Sequence, residues 1–427
     1  MKQHQKMLLG IIIGTVAGLA ANTLAGGSPW LTWVVTNVTG LLGQIFLRLL
    51  LMLVVPLLFS ALVMGVCELD LKQLGRLGLR TLGYTVVVSS IAVFIGLLLV
   101  NTLKPGVGLS DEARAMAAGG TAVKAAPAPS DTSVASLLEN MVPKNPLRAA
   151  AGDDMIALIV FSLIFGLGVA VTPTEGARRL REVIQGLYDV MMKLIDGVLK
   201  LAPFGVGALL FTMTARLGLG ILAQVAAYVG VVLLALGLHM FVVYSLSVRF
   251  LGGRNPLTFF RDCRLAIVTA FSTASSSATL PTALKVAEEN LKLPRHVARF
   301  VLTAGSAMNQ NGTALFEGVT VLFLAQVFGV QLSLPDQAVV MFICILAGIG
   351  TAGVPAGSIP VIAMILGLFN IPQEGLALVL GVDRFLDMCR TTLNVTGDLA
   401  AAVYVARGEP NPPSESGAAL APESSAS

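Results

Sequence analysis

The chain has 427 residues, 55% of them hydrophobic and only 12% charged, with a mean hydropathy of +0.83. Soluble domains carry about 25% charged residues, so the composition sets a soluble fold aside and points to an all-α polytopic membrane protein. Long rather than alternating apolar runs disfavour a transmembrane barrel, and the net charge of +4 sits in loops, where it speaks to topology and not to nucleic acid.

The first apolar run follows Lys2 and Lys6 and passes small residues at Ala20–Ala25, a pattern shared with signal peptides. In a chain with this many later runs it is read as a retained signal anchor and first span. The apolar runs predict eight spans, at 7–25, 41–66, 78–103, 154–172, 186–214, 220–248, 296–326 and 374–405. Two further stretches, 257–294 and 334–370, are interrupted by Ser, Gly, Thr and Pro. The first holds FSTASSSATLP (Phe271–Pro281) and the second AGIGTAGVPAGSIP (Ala347–Pro360). Each reads as a re-entrant helical hairpin whose tip stops partway across the membrane. Such breaks expose backbone N–H and C=O groups at membrane depth, which is tolerated only around a cavity or ligand. A loop packed against neighbouring helices is the plainer alternative.

Basic residues orient the spans. Lys72, Arg76 and Arg80, then Arg178, Arg179 and Arg181, then Arg249, Arg254, Arg261 and Arg264, then Lys292, Arg295 and Arg299 all fall on one side if the N-terminus is cytoplasmic. Residues 104–153, rich in Ala, Gly, Pro and Ser, then form a flexible extracellular loop. Residues 407–427 read as a disordered cytoplasmic tail.

The most informative segment is GVDRFLDMCRTTLNVTGD (Gly381–Asp398), inside the last apolar run. On a helix, positions 383, 387, 390, 391, 394 and 398 share one stripe. Each charge at mid-bilayer costs about 2.5–3.5 kcal/mol, so four facing lipid would cost on the order of 10 kcal/mol. They must face protein or a water-filled cavity. Charges kept there mark a substrate or ion path; a structural salt-bridge stripe is the alternative. A mixed Asp, Arg, Thr and Asn face is also what a zwitterionic solute needs. Cys67, Cys263, Cys344 and Cys389 are scattered and the three histidines are far apart, so neither a disulfide framework nor a metal site is indicated. No GxSxG or HExxH motif occurs, so an enzyme has little to build on.

Six spans, a Ser-rich hairpin, a span with NQNGT, a Gly/Pro hairpin and a span with DxxRTTxNVTGD follow in order. With RLLLMLVVPLLFSALVMG (Arg48–Gly65) and MVPKNPLRAAAGDDMIALIVFSLIFGLG (Met141–Gly168), this arrangement resembles the glutamate transporter family, the dicarboxylate/amino acid:cation symporters, over nearly the whole chain. The resemblance implies a homotrimer in an inner or plasma membrane, with both termini cytoplasmic. Residues 1–72 and 154–217 would form a static scaffold. Residues 73–103 and 218–406 would form a mobile transport domain working as an elevator.

The resemblance also implies roles. Asp387 matches the acceptor of the substrate amino group and Arg390 the partner of the side-chain carboxylate. Thr391, Asn394 and Thr313 match further substrate contacts. Ser275, Ser276 and Ser277 match the first hairpin tip, and Val354 the second, which serves as the extracellular gate. Arg390 suits a carboxylate, and half-helix N-termini suit an anion. The Asp and Arg together favour an acidic amino acid over a dicarboxylate or a neutral amino acid. Gly305, Asn309, Asn394 and Asp398 match a sodium site that is kept. A second sodium site is altered. The usual NMDGT is here Asn309-Gln310-Asn311-Gly312-Thr313, and Thr85, Val88 and Ser89 stand where archaeal relatives supply a Tyr and a Thr-Ser pair. Asn311 replaces a carboxylate and Val88 offers no oxygen, so this site is read as lost. Sodium held by backbone carbonyls and water is the alternative. Glu317 matches the acid that carries a proton in proton-coupled members; an ordinary helix-packing partner is its plainer reading. Cys389 reads as a small packing residue. No resident cofactor is implied.

Overall fold

The computed structural model describes residues 3–68, 74–108, 142–151, 155–218, 220–350 and 358–409. All regular structure among the described residues is helical. The principal helices are α1 (Gln3–Ala25), α2 (Gly40–Leu51), α3 (Val54–Glu68), α4 (Leu79–Leu103), α5 (Met155–Val171), α6 (Glu175–Leu217) and α7 (Gly220–Leu238). They continue with α8 (Pro256–Thr273), α9 (Ser276–Lys285), α10 (Arg295–Met308), α11 (Asn311–Phe328), α12 (Leu334–Gly350), α13 (Ser358–Leu368) and α14 (Leu376–Ala406).

Among the described residues, Pro29–Leu49, Arg76–Leu103, Gly220–Leu251 and Arg295–Phe328 are long and apolar enough to cross a membrane. A fifth is added if Glu175–Ile195 and Lys200–Arg216 count as one bent span. Shorter apolar helices lie at Leu9–Ala25, Val55–Cys67 and Val160–Val171, and the breaks inside the apolar runs have local causes. The run 41–66 breaks at Met52–Leu53; in a continuous helix the ring of Pro56 would clash with the carbonyl of Met52, four residues earlier. The run 186–214 belongs to a 43-residue helix that begins at Glu175, capped by the Thr174 hydroxyl, so Arg178, Arg179 and Arg181 are helical rather than in a loop. That helix bends by 53° just before Pro203. The run 296–326 is interrupted at Asn309 and Gln310, whose backbone leaves the helical region.

The first interrupted stretch folds into two helices joined by a short turn. α8 starts at Pro256, capped by Asn255, whose side-chain Oδ1 accepts from the Leu257 N–H at 2.9 Å. It ends at Ala274, in the left-handed region at φ 49°, and the Ser275 hydroxyl caps α9 by accepting from the Ala278 N–H at 3.2 Å. In the second hairpin α12 and α13 are described, but the tip at 351–357, with Val354, lies outside the described residues.

Packing sorts the helices into two groups. α1, α2, α3, α5 and α6 pack mainly on one another, while α4 and α7 to α14 pack mainly on one another with α14 at the centre. α1 lies against the bent half of α6, where Asn22 Nδ2 donates to the Ala215 carbonyl at 2.7 Å. The two groups meet where α12 crosses α3 and α6 passes α14.

Candidate functional site

The polar stripe of α14 is buried throughout: Asp383, Asp387, Arg390, Thr391, Asn394 and Asp398 all face protein. Arg390 is only 2% exposed. Its Nη2 lies 3.0 Å from Asp383 Oδ1 and 3.0 Å from Asp387 Oδ1, and its Nε donates to Asp387 Oδ1 at 3.1 Å. The contact with Asp387 is a directed hydrogen bond. That with Asp383 is an ion pair whose geometry leaves Asp383 Oδ1 without a hydrogen bond. The guanidinium carbon sits 4.0 Å from the centroid of the Phe316 ring on α11, so one face of the fork rests on an aromatic surface. The remaining nitrogen, Nη1, is buried and hydrogen-bonds to nothing among the described residues. A buried guanidinium nitrogen without a partner is costly unless something is to be bound there. Arg384, 43% exposed, stands 3.6 Å from Asp387 Oδ2.

The break between α10 and α11 supplies the facing wall. It frees backbone groups that the α14 side chains satisfy: Asn394 Oδ1 accepts from the Gly312 N–H at 2.7 Å. Asn394 Nδ2 donates to Thr313 Oγ1 at 3.2 Å and to Gln310 Oε1, and Gln310 Nε2 donates to the Ser306 carbonyl at 3.0 Å. A Cβ at Gly312 would stand 2.7 Å from the Arg390 carbonyl oxygen, so only glycine lets α11 begin this close to α14. Asn394 and Thr313 thus meet at the start of α11, and Thr391, next to Arg390 on α14, is buried. The three hairpin serines do not act alike: Ser275 caps α9, Ser276 is buried with its hydroxyl unpaired among the described residues, and Ser277 is exposed.

The two cation positions differ. At the first, Asn309 Nδ2 donates to Asp398 Oδ1 at 2.9 Å, while Asn309 Oδ1 is buried without a hydrogen bond. A Cβ at Gly305 would lie 2.6 Å from Asp398 Oδ1, so the carboxylate rests on the α10 backbone. A carboxylate with an unused amide oxygen beside it fits a hard cation; the oxygen of Asn394 is already held by Gly312. At the second position the residues do not fit one. Asn311 Oδ1 accepts from the Ser89 hydroxyl, Asn311 Nδ2 donates to the Tyr244 hydroxyl at 3.0 Å, and that hydroxyl donates to the Leu393 carbonyl at 3.2 Å. Val88 is apolar, and the Thr85 hydroxyl is buried with no hydrogen bond among the described residues.

Glu317 lies one turn beyond Thr313 on α11 and is 0% exposed, with both carboxylate oxygens unpaired among the described residues. Three contributors escape a reading of the sequence. Tyr244 sits in an unbroken apolar run and Phe316 looks like ordinary core. Asp383 is on the stripe, but its pairing with Arg390 has no sequence signal beyond the seven-residue spacing.

Residues 4–408 match the model described as the sodium:dicarboxylate symporter family. The chain belongs to that family. It is similar to the proton/sodium-glutamate symport protein of Bacillus subtilis (strain 168), at 32% identity over 400 residues, 93% of this chain and 92% of that protein. It is 32% identical over 406 residues to the proton/glutamate-aspartate symporter of Escherichia coli (strain K12), covering 94% and 91%. Against the C4-dicarboxylate transport protein of Rhodospirillum rubrum it is 32% identical over 371 residues, covering 86% and 82%. As a member of the sodium:dicarboxylate symporter family the chain is a multi-pass membrane transport protein and not an enzyme.

Proposed function

We propose that this family member is a secondary active transporter of acidic amino acids, aspartate or glutamate, weakly coupled or uncoupled to sodium and coupled to protons through Glu317. The observation that carries the substrate reading is the buried Arg390 fork, paired with two carboxylates and keeping Nη1 in reserve. A substrate side-chain carboxylate takes the fork in the bidentate manner that guanidinium favours. Asp387, released from Arg390, then receives the α-ammonium group three residues away on the same face. Each charge leaves one partner for another, so no buried charge is left uncompensated. Thr313, Thr391 and Asn394, with the hairpin tips at Ser275–Ser277 and Val354, take the α-carboxylate and ammonium group.

The names of the Bacillus and Escherichia relatives, which both include glutamate, support this substrate class. The C4-dicarboxylate reading has the Rhodospirillum relative in its favour, and Asp387 against it, since a dicarboxylate has no ammonium for it to bind. Coupling is read from the site. The Bacillus relative's name includes sodium, so the sodium-coupled symporter is the rival, and the poor fit at Asn311 is what favours weak coupling here. Asp398, with Asn309 and Gly305, is the position where a cation would be held.

The two packing groups support a division of labour. The first group, within 1–72 and 154–217, is the scaffold through which three copies associate. The second, within 73–103 and 218–406, moves as an elevator with the substrate. Both termini are cytoplasmic. Calorimetry on the purified full-length protein tests the substrate class. Aspartate or glutamate is expected to bind and glutamine not to; succinate binding more tightly than either would establish the dicarboxylate reading instead.

A further inference from the structure

Tyr244 lies in the apolar run HMFVVYSLSVRF, just past α7, and is fully buried. Its ring packs edge-on against His239, with centroids 4.8 Å apart. Its hydroxyl reaches a place where four elements converge. Ser89 of α4 donates to Asn311 of α11, Asn311 donates to Tyr244, and Tyr244 donates to the Leu393 carbonyl in the middle of α14. Gly397 makes that last contact accessible, since a Cβ there would lie 2.3 Å from the Tyr244 hydroxyl oxygen.

The polarity of this chain is informative. A cation would gather oxygens and repel hydrogens. Here the Asn311 amide sends an N–H inward and the tyrosine oxygen accepts it. The tyrosine's own hydrogen then goes to a backbone carbonyl that a cation could otherwise have used. The hydrogens of this chain all run in one direction and every group in it is neutral, so no charge needs compensation. The amide at 311 and the hydroxyl at 244 are matched: a carboxylate at 311 would turn one donor into an acceptor and leave the network short of a hydrogen.

We propose that the Tyr244 hydroxyl is a built-in replacement for a cation, a positioning residue that clamps α4, α11 and α14 in the substrate-competent arrangement. This rests on the sodium-independent reading above. Such a clamp keeps the competent state populated, so no ion is needed to raise it.

The test is aspartate affinity, measured by calorimetry in choline and in sodium buffer, on the parent and three folded variants whose integrity is checked by thermal melting. In Tyr244→Phe, which keeps the ring and loses both hydrogen bonds, aspartate affinity in choline is expected to fall about tenfold. Gly397→Ala, whose Cβ would crowd the hydroxyl, the ring carbon that bears it and the Asn309 amide, should give the same direction. The decisive variant is Tyr244→Phe with Asn311→Asp. It restores a carboxylate, removes the competing hydroxyl, and is expected to acquire sodium dependence of about tenfold or more. A purely structural role would not move that readout. Parent-like affinity of Tyr244→Phe in choline, or a folded double variant that binds aspartate without regard to sodium, would overturn the role of Tyr244. A parent whose own affinity rises more than about tenfold with sodium would instead overturn the sodium-independent reading.

Discussion

Replacing Arg390 with cysteine removes the only buried cation on the α14 stripe. Asp383 and Asp387, each 3.0 Å from Nη2, lose their partner together. Breaking a buried pair by deleting one member costs about 3–5 kcal/mol. Arg384 offsets part of this, because it is 43% exposed and stands 3.6 Å from Asp387, whereas Asp383 has no such neighbour among the described residues. The loss in binding is separate. A substrate carboxylate on the fork would make two hydrogen bonds to a charged group, each worth roughly 1.5–3 kcal/mol, so aspartate affinity should fall a hundredfold or more. Arg390→Lys separates charge from shape: it keeps the cation but loses the planar fork and the stacking on Phe316, and should fall between parent and cysteine variant. Binding is read by calorimetry and folding by thermal melting, with serine as a probe for newly admitted neutral amino acids. Aspartate affinity within about threefold of the parent in a folded cysteine variant would refute the role, since that is under 1 kcal/mol.

Two further substitutions probe the same site. Asp387→Asn should weaken aspartate far more than succinate, because only aspartate carries the ammonium group that Asp387 receives; an equal loss for both ligands would count against that assignment. Glu317→Gln removes the only titrating hydrogen from a fully buried, unpaired carboxyl. It should abolish accumulation driven by an inward proton gradient while leaving aspartate exchange largely intact, and continued gradient-driven uptake would reject Glu317 as the proton carrier.

The α14 stripe was legible in the sequence because five charged residues in an apolar run admit few placements, and the structure buries it as the spacing requires. The Ser-rich break at Ala274–Ser275 was legible for a related reason, since its residues serve as caps at the ends of two half-helices. The break at Asn309–Gln310 was not. Hydropathy runs through it, and neither residue forces a helix to stop. It is stabilised from outside, by Asn394 on α14 and by the Gly348 carbonyl, which accepts from the Gln310 N–H at 3.3 Å. Tyr244 was hidden in the same way, because a tyrosine in an apolar run carries no sign of where its hydroxyl goes. The altered side chains at Asn311 and Val88 could be read from the sequence, but the tyrosine hydroxyl that hydrogen-bonds to Asn311 could not. It comes from a helix 67 positions away in sequence.

The account turns on which solute crosses the membrane and what drives it. The direct measurement is uptake of radiolabelled aspartate into proteoliposomes holding the full-length protein, with sodium and proton gradients imposed one at a time. Saturable uptake that follows an inward proton gradient and changes little with sodium is the predicted result. Accumulation driven by sodium alone, or no aspartate uptake alongside robust succinate uptake, would contradict it.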